Sequence, residues 1–269
     1  MSEGDPRQAG RIALTFDNLG EAAEIERGRW TGKVPIGSDP SVTQALPWLL
    51  HELDSHRIRA TFFVEAINCE LNPVAVREIA DRGHELAVHG WRHEEWAALT
   101  PDQERGLLAR CRAAFAKLGL AVAGFRPPGG EPTLRTASLL SDAGFTWWSP
   151  AANTPRPDDR DRIPVQVPFE WELVDAYHLM ERFDRVRAVR GDDPRPLPPV
   201  AAAQRLTGAL ERSRGEARII VLHPFLMLDP GWRIEVQRIL SLLAGWTRAG
   251  TTALVEAGDL ARAHPRVAR

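Results

Sequence analysis

Four short stretches of this 269-residue sequence place chemically able side chains at the close of apolar runs. Leu14-Thr15-Phe16 is followed by Asp17 and Asn18. A carboxylate at the carboxyl end of a strand is where a parallel α/β barrel puts a catalytic group, although a lone aspartate there serves equally as a turn or helix cap. His89-Gly90-Trp91-Arg92-His93 spaces two imidazoles four apart. On a helical turn they would converge on one ion, and neutral imidazole suits zinc, cobalt or nickel. Arg126-Pro127-Pro128-Gly129-Gly130 is a stiff, tight turn whose arginine can grip a carboxylate through two hydrogen bonds; it reads equally as a plain loop. His223 closes Ile219-Ile220-Val221-Leu222, as either a satisfied core histidine or an acid–base group.

The elements that must position these residues follow from the pattern around them. Strands are expected at Arg11–Phe16, Ala60–Val64, Glu85–Val88, Ala123–Arg126, Phe145–Trp148, Pro164–Pro168, Ile219–Leu222 and Thr252–Val255. Helical stretches alternate with them: one from Ser41 towards His56, one opened by Asn72-Pro73, and one opened by Thr100-Pro101 with a Thr100/Gln103 capping box and closed by Gly119. Others are expected over Thr133–Ala143, Pro199–Ser213 and Gly231–Arg248. Repeated βα units require a parallel sheet, and a closed barrel is the economical form, with an open doubly wound sheet as the alternative. All four stretches then end strands on one face, where a carboxylate, two imidazoles, an arginine and a further histidine make a hydrolytic metal site. Leu19–Pro40, Asn153–Asp161 and Arg190–Pro199 interrupt the rhythm and are expected to shape a substrate cleft.

Taken in order, TFDN, HGWRH, RPPGG and VLHPF resemble the motifs of the NodB-type polysaccharide deacetylase family, from about Arg11 to the Val255 region. The HGWRHE form, the Pro168–Trp171 segment and His223-Pro224 are similar to one branch, which holds cytoplasmic-type deacetylases, cyclic-imide hydrolases and metal-independent allantoinases. The resemblance implies a distorted (β/α) barrel of about seven parallel strands. It implies that Asp17 is the general base, His223 the general acid and Arg126 the partner that holds Asp17 ionised. It implies a divalent metal, zinc foremost, on His89 and His93, with the oxyanion held near the Gly129 backbone N–H. Metal-dependent members usually carry a second aspartate after the first; here that position is Asn18, an uncharged oxygen ligand, and the next position is Leu19. Glu21 is near enough in sequence to substitute as a ligand.

Composition narrows the partners. A net charge of -2 gives no electrostatic reason for nucleic acid or an anionic membrane surface. No signal segment is visible and no apolar run nears the roughly 20 residues of a membrane span, so a cytoplasmic location is expected. Two cysteines, Cys69 and Cys111, read as buried reduced thiols. With nine tryptophans and one tyrosine, most of the indoles are expected in the core, with Trp148 and Trp171 as pocket walls. The expected organisation is a tail over 1–10 and one barrel domain over 11–269. The expected activity is metal-dependent hydrolysis of a carbon–nitrogen bond, foremost N-deacetylation of a small or medium-sized soluble amide. A cyclic amide or imide hydrolase, metal-free, is the second reading, and a barrel that only binds ligand is the third. Oligomeric state and the partner of His223 are open, with Asp175 a candidate for the latter.

Overall fold

The structure, a computed structural model, describes residues 10–33, 35–155, 163–213 and 215–263. Single-residue alternation decides its architecture. Ile12, Leu14 and Phe16 pack in one apolar layer and Ala13 in another; the split recurs for Phe62 and Val64 against Phe63, Leu86 and Val88 against Ala87, and Ile220 and Leu222 against Ile219 and Val221. Strands apolar on both faces belong in a parallel sheet covered on both sides. The larger layer lies beneath the helices; the smaller fills the interior of the curl, with Phe169, Tyr177 and Leu260 among its plugs.

Eight strands form this sheet among the described residues: β1 (Gly10–Asp17), β2 (Thr61–Val64), β3 (Glu85–Val88), β4 (Gly124–Phe125), β5 (Trp147–Trp148), β6 (Val165–Gln166), β7 (Ala217–Leu222) and β8 (Thr252–Val255). Their order is β6-β5-β4-β3-β2-β1-β7, and every pairing is parallel. β8 lies along the first half of β1, Gly10 with Thr252 through Ala13 with Val255, while β2 takes the second half from Thr15 to Asp17. Beyond β6, Val174 forms a parallel bridge to Val221 of β7, which draws the two sheet edges together. The result is a distorted, incompletely closed α/β barrel, as expected.

The helices follow their local signals closely. Thr100 opens the helix Pro101–Lys117 with a complete capping box, worth about 1 kcal/mol, and Gly119 takes the left-handed conformation just past its end. Pro73 starts Pro73–Asp81 as expected, but Asn72 does not cap it; its amide donates instead to Glu21 and Asn68. Ser41 begins a π-turn, Ser41–Ala45, that leads into Leu46–His56. The later helices are Thr136–Asp142, Pro199–Arg212 and Pro230–Arg248, each within a few residues of its expected bounds. Among the described residues no helix is long and apolar enough to cross a membrane. Cys69 and Cys111 are free and buried, and burial raises both thiol pKa values, Cys69 to about 12. Most of the expected insertion Asn153–Asp161 lies outside the described residues.

Candidate active site

The alternation that builds the barrel also aims its site. Asp17 continues the inward series Ala13, Thr15; His89 follows Ala87; His223 follows Ile219 and Val221. On β4 the inward position before Arg126 is Gly124, where a Cβ would lie 2.0 Å from the Trp147 ring; only glycine fits. Arg126 therefore enters the barrel mouth, stacked 3.8 Å over Phe63 and 5.1 Å from Phe169.

Arg126 is 1% exposed and all its partners are buried. Its Nη1 donates to Asp17 Oδ1 at 2.6 Å and to Thr15 Oγ1 at 3.0 Å, and its Nη2 donates to Ser149 Oγ at 2.9 Å. The expected Asp17–Arg126 pairing is present, made through one Asp17 oxygen. Asp17 Oδ2 is left facing His89 Nε2 at 3.9 Å. His89 Nδ1 donates to the Arg126 carbonyl at 3.0 Å; since a carbonyl only accepts, Nδ1 carries the proton and Nε2 keeps its lone pair. Burial, then the Arg126 charge, pushes the His89 pKa down to about 3, so the ring is neutral.

His93 does not sit on a helical turn. The HGWRH segment is an irregular loop in which Gly90 and His93 both have φ of 73°. Glu94 shapes it, one carboxylate oxygen accepting from Trp91 N and the other from Arg92 N, both at 2.9 Å. The His89 and His93 rings end edge to face, centroids 5.1 Å apart. Burial, followed by the charges of His89 and Arg27, holds His93 well below the ordinary histidine range. Arg27 Nη2 lies 3.5 Å from His93 Nδ1, a loose contact from the connection after β1.

Asn18, at φ of 64°, turns its amide nitrogen to Glu65 Oε1 at 2.7 Å, and its Oδ1 is buried without a partner. Glu65 is fully buried, also accepts from Leu19 N at 3.1 Å, and is pushed to about 8 by burial. Glu21 is not a substitute ligand: its two oxygens accept from Gly37 N at 2.8 Å and Asn72 Nδ2 at 3.2 Å. Among the described residues no cluster of three or more His, Cys, Asp or Glu side chains is spaced for a metal. Two neutral imidazoles and the orphaned Asn18 oxygen nevertheless fit a divalent cation, as a set without the usual carboxylate charge.

His223 follows Leu222, the β7 partner of Phe16, and so ends the strand next to that of Asp17. Its Nδ1 lies 2.5 Å from Asp175 Oδ1, its backbone N–H donates to Asp175 Oδ2 at 2.8 Å, and Asp175 is fully buried. Gly129, at φ of 71°, is exposed on the turn Pro128–Gly130, where Gly130 N is already committed to Pro127 O. Trp148 is not a pocket wall: the alternation sends it into the helix-facing layer, 1% exposed, and turns Trp147 and Ser149 inward instead. Trp171 is partly exposed in an aromatic group with Phe169, Tyr177 and Phe183. Glu65 and Ser149 were missed by the motif reading, yet each lies two residues beyond an inward aromatic, Phe63 and Trp147. Strand parity alone would have found both.

A family model described as polysaccharide deacetylase matches residues 4–148. A peptidoglycan-N-acetylglucosamine deacetylase of Bacillus cereus is 30% identical over 127 residues, 47% of this chain and 38% of that protein. The chain thus spans well under two thirds of that relative's length. Among solved structures, a Mycobacterium smegmatis chain ascribed to the polysaccharide deacetylases superposes with a TM-score of 0.76 at 25% identity, covering 97% of this chain and 92% of that one. An allantoinase gives the same TM-score, 0.76, at 16% identity over 99% and 96% of the two chains, a likeness of fold.

Proposed function

The chain belongs to the polysaccharide deacetylase family, and from that premise we propose that it hydrolyses a carbon–nitrogen bond, foremost by removing an acetyl group from the nitrogen of a soluble amide. One observation carries the reading. A carboxylate and an imidazole stand at one end of the barrel, each held by a buried partner of opposite charge type: Asp17 by Arg126 at 2.6 Å and His223 by Asp175 at 2.5 Å.

In this mechanism Asp17 Oδ2, the oxygen that Arg126 leaves free, takes a proton from the attacking water. The hydroxide adds to the carbonyl, and the oxyanion is met by the Gly129 N–H. His223, with Nδ1 committed to Asp175, presents Nε2–H to the nitrogen; proton transfer there lets the amine leave as the carbonyl re-forms. Arg126 keeps Asp17 oriented, and Phe63 and Phe169 exclude water from its guanidinium. A divalent cation, zinc foremost, would be held by His89, His93 and Asn18, and would supply Lewis-acid polarisation of the carbonyl.

The uncharged Asn18 favours a second reading, ring opening of a cyclic amide by the same acid and base. The two are separated by product. Incubation with N-acetylglucosamine oligomers, with small N-acetyl amides and with cyclic imides, followed by proton NMR, is expected to reveal free acetate only from the first two. Ring-opened acid without acetate would establish the second reading, and no product from any substrate, where Asp17→Asn behaves as wild type, would defeat both.

A further inference from the structure

Two segments outside the barrel strands each bring an arginine to one cleft. Arg27 comes from the connection after β1, and Arg182 from the turn Glu181–Phe183 beyond β6. Both line a cleft of about 560 Å³ whose walls include Asn18 and Phe225, the latter ring 5.4 Å from His223. The cleft therefore adjoins the candidate active site through these two residues. Arg27 leans on His93, as described above, and Arg182 also bears electrostatically on that ring.

The neighbouring carboxylates offset this pair only in part. Glu24 is gripped by Arg29 through both oxygens, at 2.7 and 3.0 Å, and is 3.8 Å from Arg27. Asp39 spends one oxygen on Ser41 N at 2.8 Å. Glu181 lines the cleft without an ion pair among the described residues, and Arg182 likewise has none; its guanidinium rests 5.1 Å over Phe183. Desolvation first, then the charges of Arg27 and Arg29, pulls the Arg182 pKa down to about 10. Arg182, without an ion pair, and Arg27, which shares Glu24 with Arg29, are two guanidinium groups on one cleft that can form a fork for an oxyanion. Three carboxylates on the same walls make a monoanion a better guest than a dianionic phosphate, and Leu179, Met180 and Phe225 suit a short aliphatic spacer.

We propose that the substrate is an amide carrying a carboxylate, which Arg27 and Arg182 hold while the amide lies over Asp17 and His223. The proposal deepens the hydrolytic reading and rests on it for the position of the amide. Binding is the test, so that turnover is not needed: N-acetylglycine and N-acetylglycinamide, equal in size and differing in one charge, are titrated calorimetrically into the wild type and the R27Q and R182Q variants. The wild type is expected to prefer the carboxylate by about tenfold or more, the order of one charge-assisted hydrogen bond. Each variant is expected to lose most of that preference with its melting temperature unchanged. Equal affinities in the wild type, or a preference retained in both variants, would overturn the proposal. Preference without acetate release sustains the carboxylate fork and counts against hydrolysis; acetate release without preference does the reverse.

Discussion

Asp175 meets His223 with both carboxylate oxygens, Oδ1 on His223 Nδ1 at 2.5 Å and Oδ2 on the His223 backbone N–H at 2.8 Å, while Oδ1 also accepts from Ala176 N at 2.6 Å. The two residues are far apart in sequence, and the carboxylate is fully buried. This fixes the imidazole in plane and in tautomer, leaving Nε2 as its working atom. Asp175→Asn replaces one acceptor by a donor and removes the charge. We expect kcat to fall by about 100- to 10,000-fold with KM little changed, read from steady-state acetate release. A kcat within a few-fold of wild type would remove His223 from the role of acid.

Arg126 and Asp17 are coupled in stability as well as chemistry. Arg126→Met should cost about 3–5 kcal/mol in urea unfolding, because it leaves a buried carboxylate unpaired. The double variant Arg126→Met/Asp17→Asn should recover part of that loss. Strict additivity of the two single changes would mean that the 2.6 Å contact carries no interaction energy.

Asn18→Asp would set a carboxylate against Glu65 where an N–H now donates at 2.7 Å. Without metal this variant should unfold at a lower temperature than wild type, since two buried carboxylates in contact require a proton or a cation. Zinc should raise its melting temperature more than it raises that of wild type, by mass action on a tighter site. Arg27→Gln, which withdraws a cation from His93, should also tighten zinc. If zinc shifts wild type and Asn18→Asp equally, position 18 does not face the ion.

A pH effect on stability is expected at a distance from the site. His84 is buried beside Phe62, with its Nδ1 accepting from Ala60 N, and burial lowers its pKa from 6.5 to about 4. The unfolded chain therefore binds a proton between these values that the folded chain does not. The His84 contribution to stability is fully present above pH 6.5 and is lost as pH falls towards 4, by at most about 3 kcal/mol. Urea unfolding at pH 7 and pH 5 should show His84→Leu losing less on acidification than wild type; an equal loss would place the titration elsewhere.

Much of this was legible before any coordinates. Apolar runs closed by Asp17, His89, Arg126 and His223 define strands and their carboxyl ends, because a buried parallel strand needs apolar residues on both faces and a polar residue only where it leaves the sheet. The Thr100/Gln103 cap is equally local, and it forms as written. Trp148 shows what a finer reading yields: counting inward positions along its strand turns Trp147 and Ser149 to the interior and Trp148 away from it.

What the sequence alone determined is the barrel and the strand ends that carry Asp17, His89, Arg126 and His223, since these follow from periodicities of two or four residues. What only the tertiary structure decided is how side chains from separate excursions are paired. Asp175 reaches His223, Glu65 claims the Asn18 amide, Gly37 and Asn72 occupy Glu21, and Arg27 leans on His93. The Glu94 carboxylate bends HGWRH out of the helical turn its spacing allowed. Such contacts join residues whose separation along the chain carries no periodic signal. They are fixed by which donor and acceptor meet once the sheet has curled and water has been excluded.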